Sequence, residues 1–388
     1  MKIASICNTI LDPTLGSGKT RLAWSNGLRA LGHSVNVYEP TQFYKSWIFD
    51  KGRTLKFRID ALRLYGQLLD DNYDILEFYG AEFGALISRL ARIPKQSRPL
   101  IVHHTDGLEL LWERCQKDFS LYDNTGLLQL IGRSSIRPVI EYFDRLAFSQ
   151  ADAVIYQHAT EGDYLIEHGY QRLETCSLVE PGVDEIYLST KIIPNKKPRL
   201  VSLGTWTARK DSETIVEVAS RLLSANPNLE FHILGAHTQR DFIINVFPDF
   251  VRNRITVYPR ITVEKISEVL AHSSIFLLPS LFEGFGMATT EAMACGCCVV
   301  VTPTGFGTAI KSGTDGFVCN FKDTDAMVSR CQSLLSDPSL CYSIAKAAKD
   351  RVSSLSWPCQ ILKLEKIYQG WVEAKGASRN GEIHTPAA

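Results

Sequence analysis

Short β-rich runs alternate with helical runs along nearly the whole chain, and this alternation limits the fold more than any other feature. Strands separated by helices assemble into parallel sheets covered on both faces, so an α/β, doubly wound architecture is expected. Residues 2–7 read as the first strand, followed by a glycine-containing loop at 15–19. Trp24, Gly27, Leu28 and Leu31 recur at i, i+3, i+4 and i+7, one face of a helix. Gly32 ends that helix and 34–38 is the next strand. Further strands are expected at 75–78, 100–103, 153–157 and 175–179. At 190–198 the text becomes polar and proline-containing, TKIIPNKKP, which reads as a linker. The opening theme then restarts with a strand at 199–203, a loop at 204–211 and a helix whose apolar face is Ile215, Val218, Ala219, Leu222 and Leu223. Strands recur at 230–234, 255–258, 275–278 and 298–301. The 388 residues suffice for two such domains, at 1–189 and 199–357. Leu364, Ile367, Tyr368 and Trp371 make a last amphipathic face within 358–374, and 375–388 lacks periodicity and is expected to be disordered.

Charge and cysteine usage exclude several classes. Lys plus Arg and Asp plus Glu both total 42, a balance that argues against a nucleic-acid binder. No uninterrupted apolar run reaches the roughly 18 residues of a spanning helix. The first residues, MKIASICNTILDPT, lack the apolar stretch and cleavage pattern of an export signal, so a cytoplasmic chain with its ten cysteines reduced is expected. Cys295, Cys297 and Cys298 cluster, but no second knuckle accompanies them, and no metal site is expected.

The chemistry concentrates in EGFGMATTE at 283–291, placed after the apolar run FLLPS and opening a helix near Met287. Gly284 and Gly286 let backbone amides approach a ligand, and a helix N-terminus with its free N–H groups suits a phosphate. Glu291 lies about one turn or more into the helix, where a carboxylate can accept two hydrogen bonds from the vicinal hydroxyls of a ribose. Glu283, on the loop, can hold hydroxyls of a second sugar. Two glutamates at this spacing are common on solvated helices; the buried strand before them and Gly-Phe-Gly between them distinguish the pair.

EGFGMATTEAMACGCCVV closely resembles the donor-site motif of retaining GT-B glycosyltransferases, specifically glycosyltransferase family four. LRALGHSV at 28–35, VEPGVDEIY at 179–187, TPTGFGTAIKSGTDGFV at 302–318 and SSLSW at 353–357 resemble further family segments, so the likeness extends over most of the chain. It implies the GT-B fold, two Rossmann-like domains facing across a cleft, with the first binding the acceptor, the second binding the nucleotide sugar and the final helix returning to the first. It implies that Glu291 binds the nucleotide ribose and Glu283 the donor sugar, with Gly284, Phe285 and Gly286 near the sugar and diphosphate. In LGTWTARKD the family pattern has an Arg and, five residues later, a Lys on the diphosphate; Lys210 matches, whereas Thr205 stands at the Arg position and Arg209 is adjacent. His103 or His104, or alternatively Asp106, stands where the family often has a His near the sugar hydroxymethyl group; His104 and Asp106 are taken as candidates. Gly16 and Gly18 are expected near the phosphates. The resemblance implies no metal or other cofactor, a nucleotide-sugar donor, and a carbohydrate or lipid-linked acceptor.

Rival readings are weaker. Gly16-Ser17-Gly18-Lys19-Thr20 suggests a triphosphate loop, but the first glycine of that motif is replaced by Pro13, which offers no N–H. A dinucleotide fingerprint fails at Arg21. A glycosidase also uses two carboxylates, yet would not need a helix N-terminus and a lysine beside them. A nucleotide-sugar epimerase, or a binding relative without activity, shares the fold and is the alternative that Thr205 keeps open. Residues 43–58, FYKSWIFDKGRTLKFR, interleave basic and aromatic side chains, as a segment lying on the inner face of an anionic membrane would.

Overall fold

The computed structural model describes residues 1–12, 16–44, 53–119, 138–139, 141–194 and 196–379. The chain divides into two compact units, Met1–Glu180 together with Trp357–Ala388, and Pro181–Ser356. Half of the basic and aromatic segment 43–58, namely 45–52, and the tail from 380 lie outside the described residues.

The first unit is built on a parallel sheet of β1 (Lys2–Cys7), β2 (Ser34–Tyr38), β3 (Ile75–Tyr79), β4 (Leu100–His104), β5 (Ala153–Tyr156) and β6 (Cys176–Leu178), in the order β2-β1-β3-β4-β5-β6. Every residue of β3 and β4 is buried, because helices cover both faces of the sheet. Strand alternation sorts side chains onto two cores. Phe78, Ile101, Phe83 and Phe148 pack on one face. Ile3, Tyr79 and Val102 pack on the other, beneath Trp24 and Leu28 of the helix Gly16–Ala30 and Leu364 and Tyr368 of the helix Trp357–Arg379. Gly27 makes this packing possible: a Cβ there would lie 2.1 Å from Ile361 Cδ1.

Several expectations shift. The stretch read as a loop at 15–19 is helical from Gly16, and a Cβ on Gly18 would meet the Asp12 carbonyl at 2.3 Å. The 8–12 segment therefore folds back over the first turn of the helix. Leu31 is 38% exposed rather than part of the buried face, since the helix has ended at Ala30. The last helix continues through Arg379, past the expected start of the tail, and Lys375 Nζ is anchored on the Arg98 carbonyl.

The second unit repeats the plan with β7 (Arg199–Leu203), β8 (Glu230–Leu234), β9 (Ile255–Tyr258), β10 (Ile275–Leu278), β11 (Cys298–Val301) and a short β12 (Phe317–Val318) that the sequence pattern did not reveal. The order is β12-β11-β10-β7-β8-β9. Strand order reverses between β7 and β10, the topological switch point where loops part and ligands bind in open parallel sheets. The 190–198 stretch lies inside this unit. Lys196 donates to the carbonyls of Ser273, Cys295 and Gly296, and Lys349 to those of Leu188 and Ala294. Together they satisfy the negative end of the helix Met287–Ala294. Among the described residues no cysteine is in a disulfide, no His, Cys, Asp and Glu group is arranged to hold a metal ion, and no helix is long and apolar enough to cross a membrane.

Candidate functional site

The loops after β7 and β10 meet at the switch point of the second unit. β7 ends at Leu203, and Gly204 follows with φ +135°, a conformation that favours glycine. A Cβ at Gly204 would lie 3.0 Å from Lys210 Cε, so the missing side chain opens the path along which the lysine runs. The turn Ala208–Lys210 then closes against the other loop, with Leu281 N donating to the Arg209 carbonyl at 2.9 Å.

Lys210 Nζ donates to Glu283 Oε1 at 2.5 Å, and both side chains are about nine-tenths buried. Ser280 Oγ donates to the same oxygen at 2.5 Å, and the Glu283 amide donates to Thr304 Oγ1 at 2.9 Å. Burial pushes the Glu283 carboxyl upward, but the Lys210 charge, the Arg209 charge and the two hydrogen bonds outweigh it and hold the group below its usual range. Glu283 is thus a fixed anion, oriented from three elements.

The helix Met287–Ala294 starts immediately beyond. Gly286, with φ +87°, is its N-cap and offers no side-chain cap; its carbonyl accepts from the Thr289 amide at 2.9 Å, so the helix opens with its positive end at the loop. Phe285 is 5% exposed; its ring packs edge-on against Phe306 and its carbonyl accepts from the Phe306 amide. Its contribution is therefore to hold the 305–307 turn. Gly305, with φ +54°, permits this approach: a Cβ would lie 2.5 Å from the Phe285 carbonyl oxygen. Gly284 is half-buried in the same loop, and Glu291 is 8% exposed on the helix, with its charge raising the pKa of Tyr187, itself already pushed up by burial.

Thr205 and Arg209 are both half-buried in the β7 loop. Thr205 brings no charge, but the field at Glu283 shows Arg209 acting on the site from beside Lys210.

In the first unit the candidates separate. β4 runs on to His104, so this residue is not on a loop. Its imidazole is buried, with Nε2 2.9 Å from Glu77 Oε1 and 2.6 Å from Tyr368 OH. Tyr368 and Tyr79 also donate to Glu77 Oε1, at 2.6 and 3.0 Å. His104 is thus a core residue that ties the last helix to β3 and β4, not a group presented to a ligand. His103 faces the opposite core, 4.7 Å from the Phe148 ring. Asp106 is on the loop after β4 and half-exposed at its side chain (27%), paired at 2.6 Å with Arg21, which also donates to Thr9 Oγ1 at 2.6 Å. Buried Glu161 pins this loop by accepting from Thr105 Oγ1, Leu108 N and Gln157 N. Gly16 is the exposed first residue of its helix and Gly18 is buried against Asp12. Sequence spacing did not single out Ser280, Thr304 or Glu77, and it marked Tyr368 only as part of an apolar helix face. Each is an ordinary residue whose role comes from a contact across the fold; only the position of Ser280 three residues before Glu283 offered a local hint.

Residues 185–351 match the family described as glycosyl transferases group 1. The D-inositol 3-phosphate glycosyltransferase of Rhodococcus opacus (strain B4) is 23% identical over 227 residues, 54% of this chain and 51% of that protein. The chain thus spans about half the length of that curated relative. The UDP-Gal:alpha-D-GlcNAc-diphosphoundecaprenol alpha-1,3-galactosyltransferase of Escherichia coli is 23% identical over 323 residues, 79% and 78% of the two chains. The sucrose-phosphate synthase of Thermosynechococcus elongatus superposes with a TM-score of 0.77 at 16% identity, covering 96% of this chain and 99% of that one. The match over 185–351 takes in Lys210, Glu283 and Glu291 together, and the superposition over 96% of the chain shows a GT-B fold.

Proposed function

We propose that the chain is a retaining glycosyltransferase that moves a sugar from a nucleotide diphosphate sugar to a hydroxyl acceptor. The observation that carries this reading is the Lys210–Glu283 pair at the switch point, 2.5 Å apart and placed beside the uncapped helix N-terminus at Gly286. Lys210, the field of Arg209 and the positive end of the helix dipole offer positive potential where a leaving diphosphate would gain charge, the electrostatic part of such a transfer. Glu283 is held ionised as a hydrogen-bond acceptor for donor-sugar hydroxyls, and Glu291 is assigned to the ribose. No step requires a metal in this scheme, because cationic side chains and amides take up the charge. The family match and the relative named for a UDP-Gal donor and a diphosphoundecaprenol-linked acceptor support a nucleotide-sugar donor and a glycan or glycolipid acceptor.

The test is a panel of nucleotide sugars, read as nucleotide diphosphate release with and without acceptor extracts. Lys210→Ala is expected to lower the rate by about 10²–10³-fold, the scale of losing one electrostatic contact to a transition state. Release that survives intact in both Lys210→Ala and Glu283→Ala would overturn the assignment. Product anomers read by NMR decide retention, and an epimerised donor without transfer would favour the epimerase alternative.

A further inference from the structure

A cavity of about 480 Å³ opens in the second unit at the amino end of β7, the opposite end of that strand from Lys210. Its wall is formed by Lys197 and Arg199 at the start of β7, His232 of β8, Tyr258 of β9, and Lys265 and Glu268 of the helix Val263–Ala271. With Lys196 included, four cations line it against one carboxylate. Lys196 is committed to backbone carbonyls, whereas Arg199 and Lys265 are paired only with exposed carboxylates. Lys197 is exposed and has no ion pair among the described residues. Arg199 is held 2.8 Å from Glu230, whose side chain is 47% exposed and can turn to water if an anion takes its place. Lys265 and Glu268, 2.7 Å apart on the helix surface, are a solvent-exposed pair of the weak kind.

His232 differs from these. It is nine-tenths buried in the wall, its Nδ1 makes no hydrogen bond, and its Nε2 stands 3.7 Å from Glu230. Burial, reinforced by the Arg199 charge, pushes its pKa down to about 4, so near neutral pH the ring has one donor and one acceptor nitrogen. A buried polar atom without a partner is costly unless something satisfies it. A wall with excess positive charge, a neutral imidazole, a carboxylate and an aromatic ring suits a ligand that is anionic at one end and hydroxylated at the other.

We propose that this cavity binds the phosphomonoester of a small polyol, such as a sugar phosphate. Lys197, Arg199 and Lys265 take the phosphate, His232 and Glu268 take hydroxyls, and the Tyr258 ring lies beside the carbon skeleton. The site is separate from the Lys210–Glu283 site and does not depend on the reading given to it.

The experiment is calorimetric titration of the full chain with glucose 6-phosphate, in the presence of saturating UDP to fill the other site. One-to-one binding is expected, weakened about tenfold or more in a Lys197→Ala/Lys265→Ala double variant and unchanged within about twofold in Lys210→Ala. Both lysines are at the surface, and an unchanged thermal midpoint shows that the double variant is folded. Absence of binding up to about 10 mM, or binding lost in Lys210→Ala and kept in the double variant, would overturn the proposal. Inorganic phosphate binding as tightly as glucose 6-phosphate would remove the role given to His232 and Glu268. Sedimentation with phosphatidic acid vesicles, abolished in the double variant, would support the same phosphomonoester site with a lipid as its source.

Discussion

Glu283 occupies a place where an ionised carboxylate would be rejected without its neighbours. Removing the charge but not the shape, as in Glu283→Gln, leaves the Lys210 ammonium buried without its acid. Breaking a buried pair from one side costs about 3 kcal/mol, so the urea midpoint of this variant should fall clearly below that of the parent. An unchanged midpoint would mean that water already screens the pair. The pH sign follows from the direction of the shift. Because the folded carboxyl titrates lower than an unfolded one, its contribution to stability is complete above the ordinary glutamate range and is lost as the pH falls through the folded value. Ser280→Ala, which deletes one of the hydrogen bonds to the same oxygen, should raise that folded value and move the loss to higher pH, measurable by following the Glu283 carboxyl in NMR titrations.

Elements place these residues by small permissions in the backbone. Gly305→Ala puts a methyl group against the Phe285 carbonyl and asks alanine to hold φ +54°, so the turn that carries Thr304 must move away from Glu283. Loss of transfer with little loss of folding is expected, and a crystal structure showing the Thr304–Glu283 contact intact would contradict it. Gly27→Phe should push Ile361 off the first helix, and faster amide exchange over 357–379 would report the release. At this scale much was legible in the sequence. Strands β7 to β11 fall where apolar runs between loop residues put them, and Ile215, Val218, Ala219, Leu222 and Leu223 are all buried. The failures have one cause. Periodicity tells which face a residue is on but not how far an element runs, so the strand expected to end at 103 extends through His104, and Leu31 lies beyond a helix that ends at Ala30. The Lys210–Glu283 pair was readable as two separate candidates. Their contact, with Ser280 and Thr304 around it, joins residues 73 positions apart and exists only once β7 and β10 are neighbours.

Over the whole molecule, buried neutral histidines lower stability on the acid side. His103 in the first unit is pushed down to about 3 by burial, and His232 in the second to about 4. Unfolded, each would take up a proton near pH 6.5, so unfolding becomes easier as pH falls from about 6.5 toward these folded values, by up to ~1.4 kcal/mol per pH unit for each histidine. Chemical denaturation at constant ionic strength should show this slope, and His103→Leu should flatten it. Asp144, raised by burial to about 6, works in the opposite sense in this window, so the test is the variant: a slope unchanged in His103→Leu would refute the argument. The chain also has an order of completion written into it. The second unit is contiguous from Pro181 to Ser356, whereas the first lacks one wall of its core until Leu364 and Tyr368 arrive. On a ribosome, where chains emerge from the N-terminus, the unit made second is therefore the first that can close. Trp24, Leu28 and Tyr79 wait for Leu364 and Tyr368 through the synthesis of about half the protein, an interval in which this apolar face is exposed to aggregation.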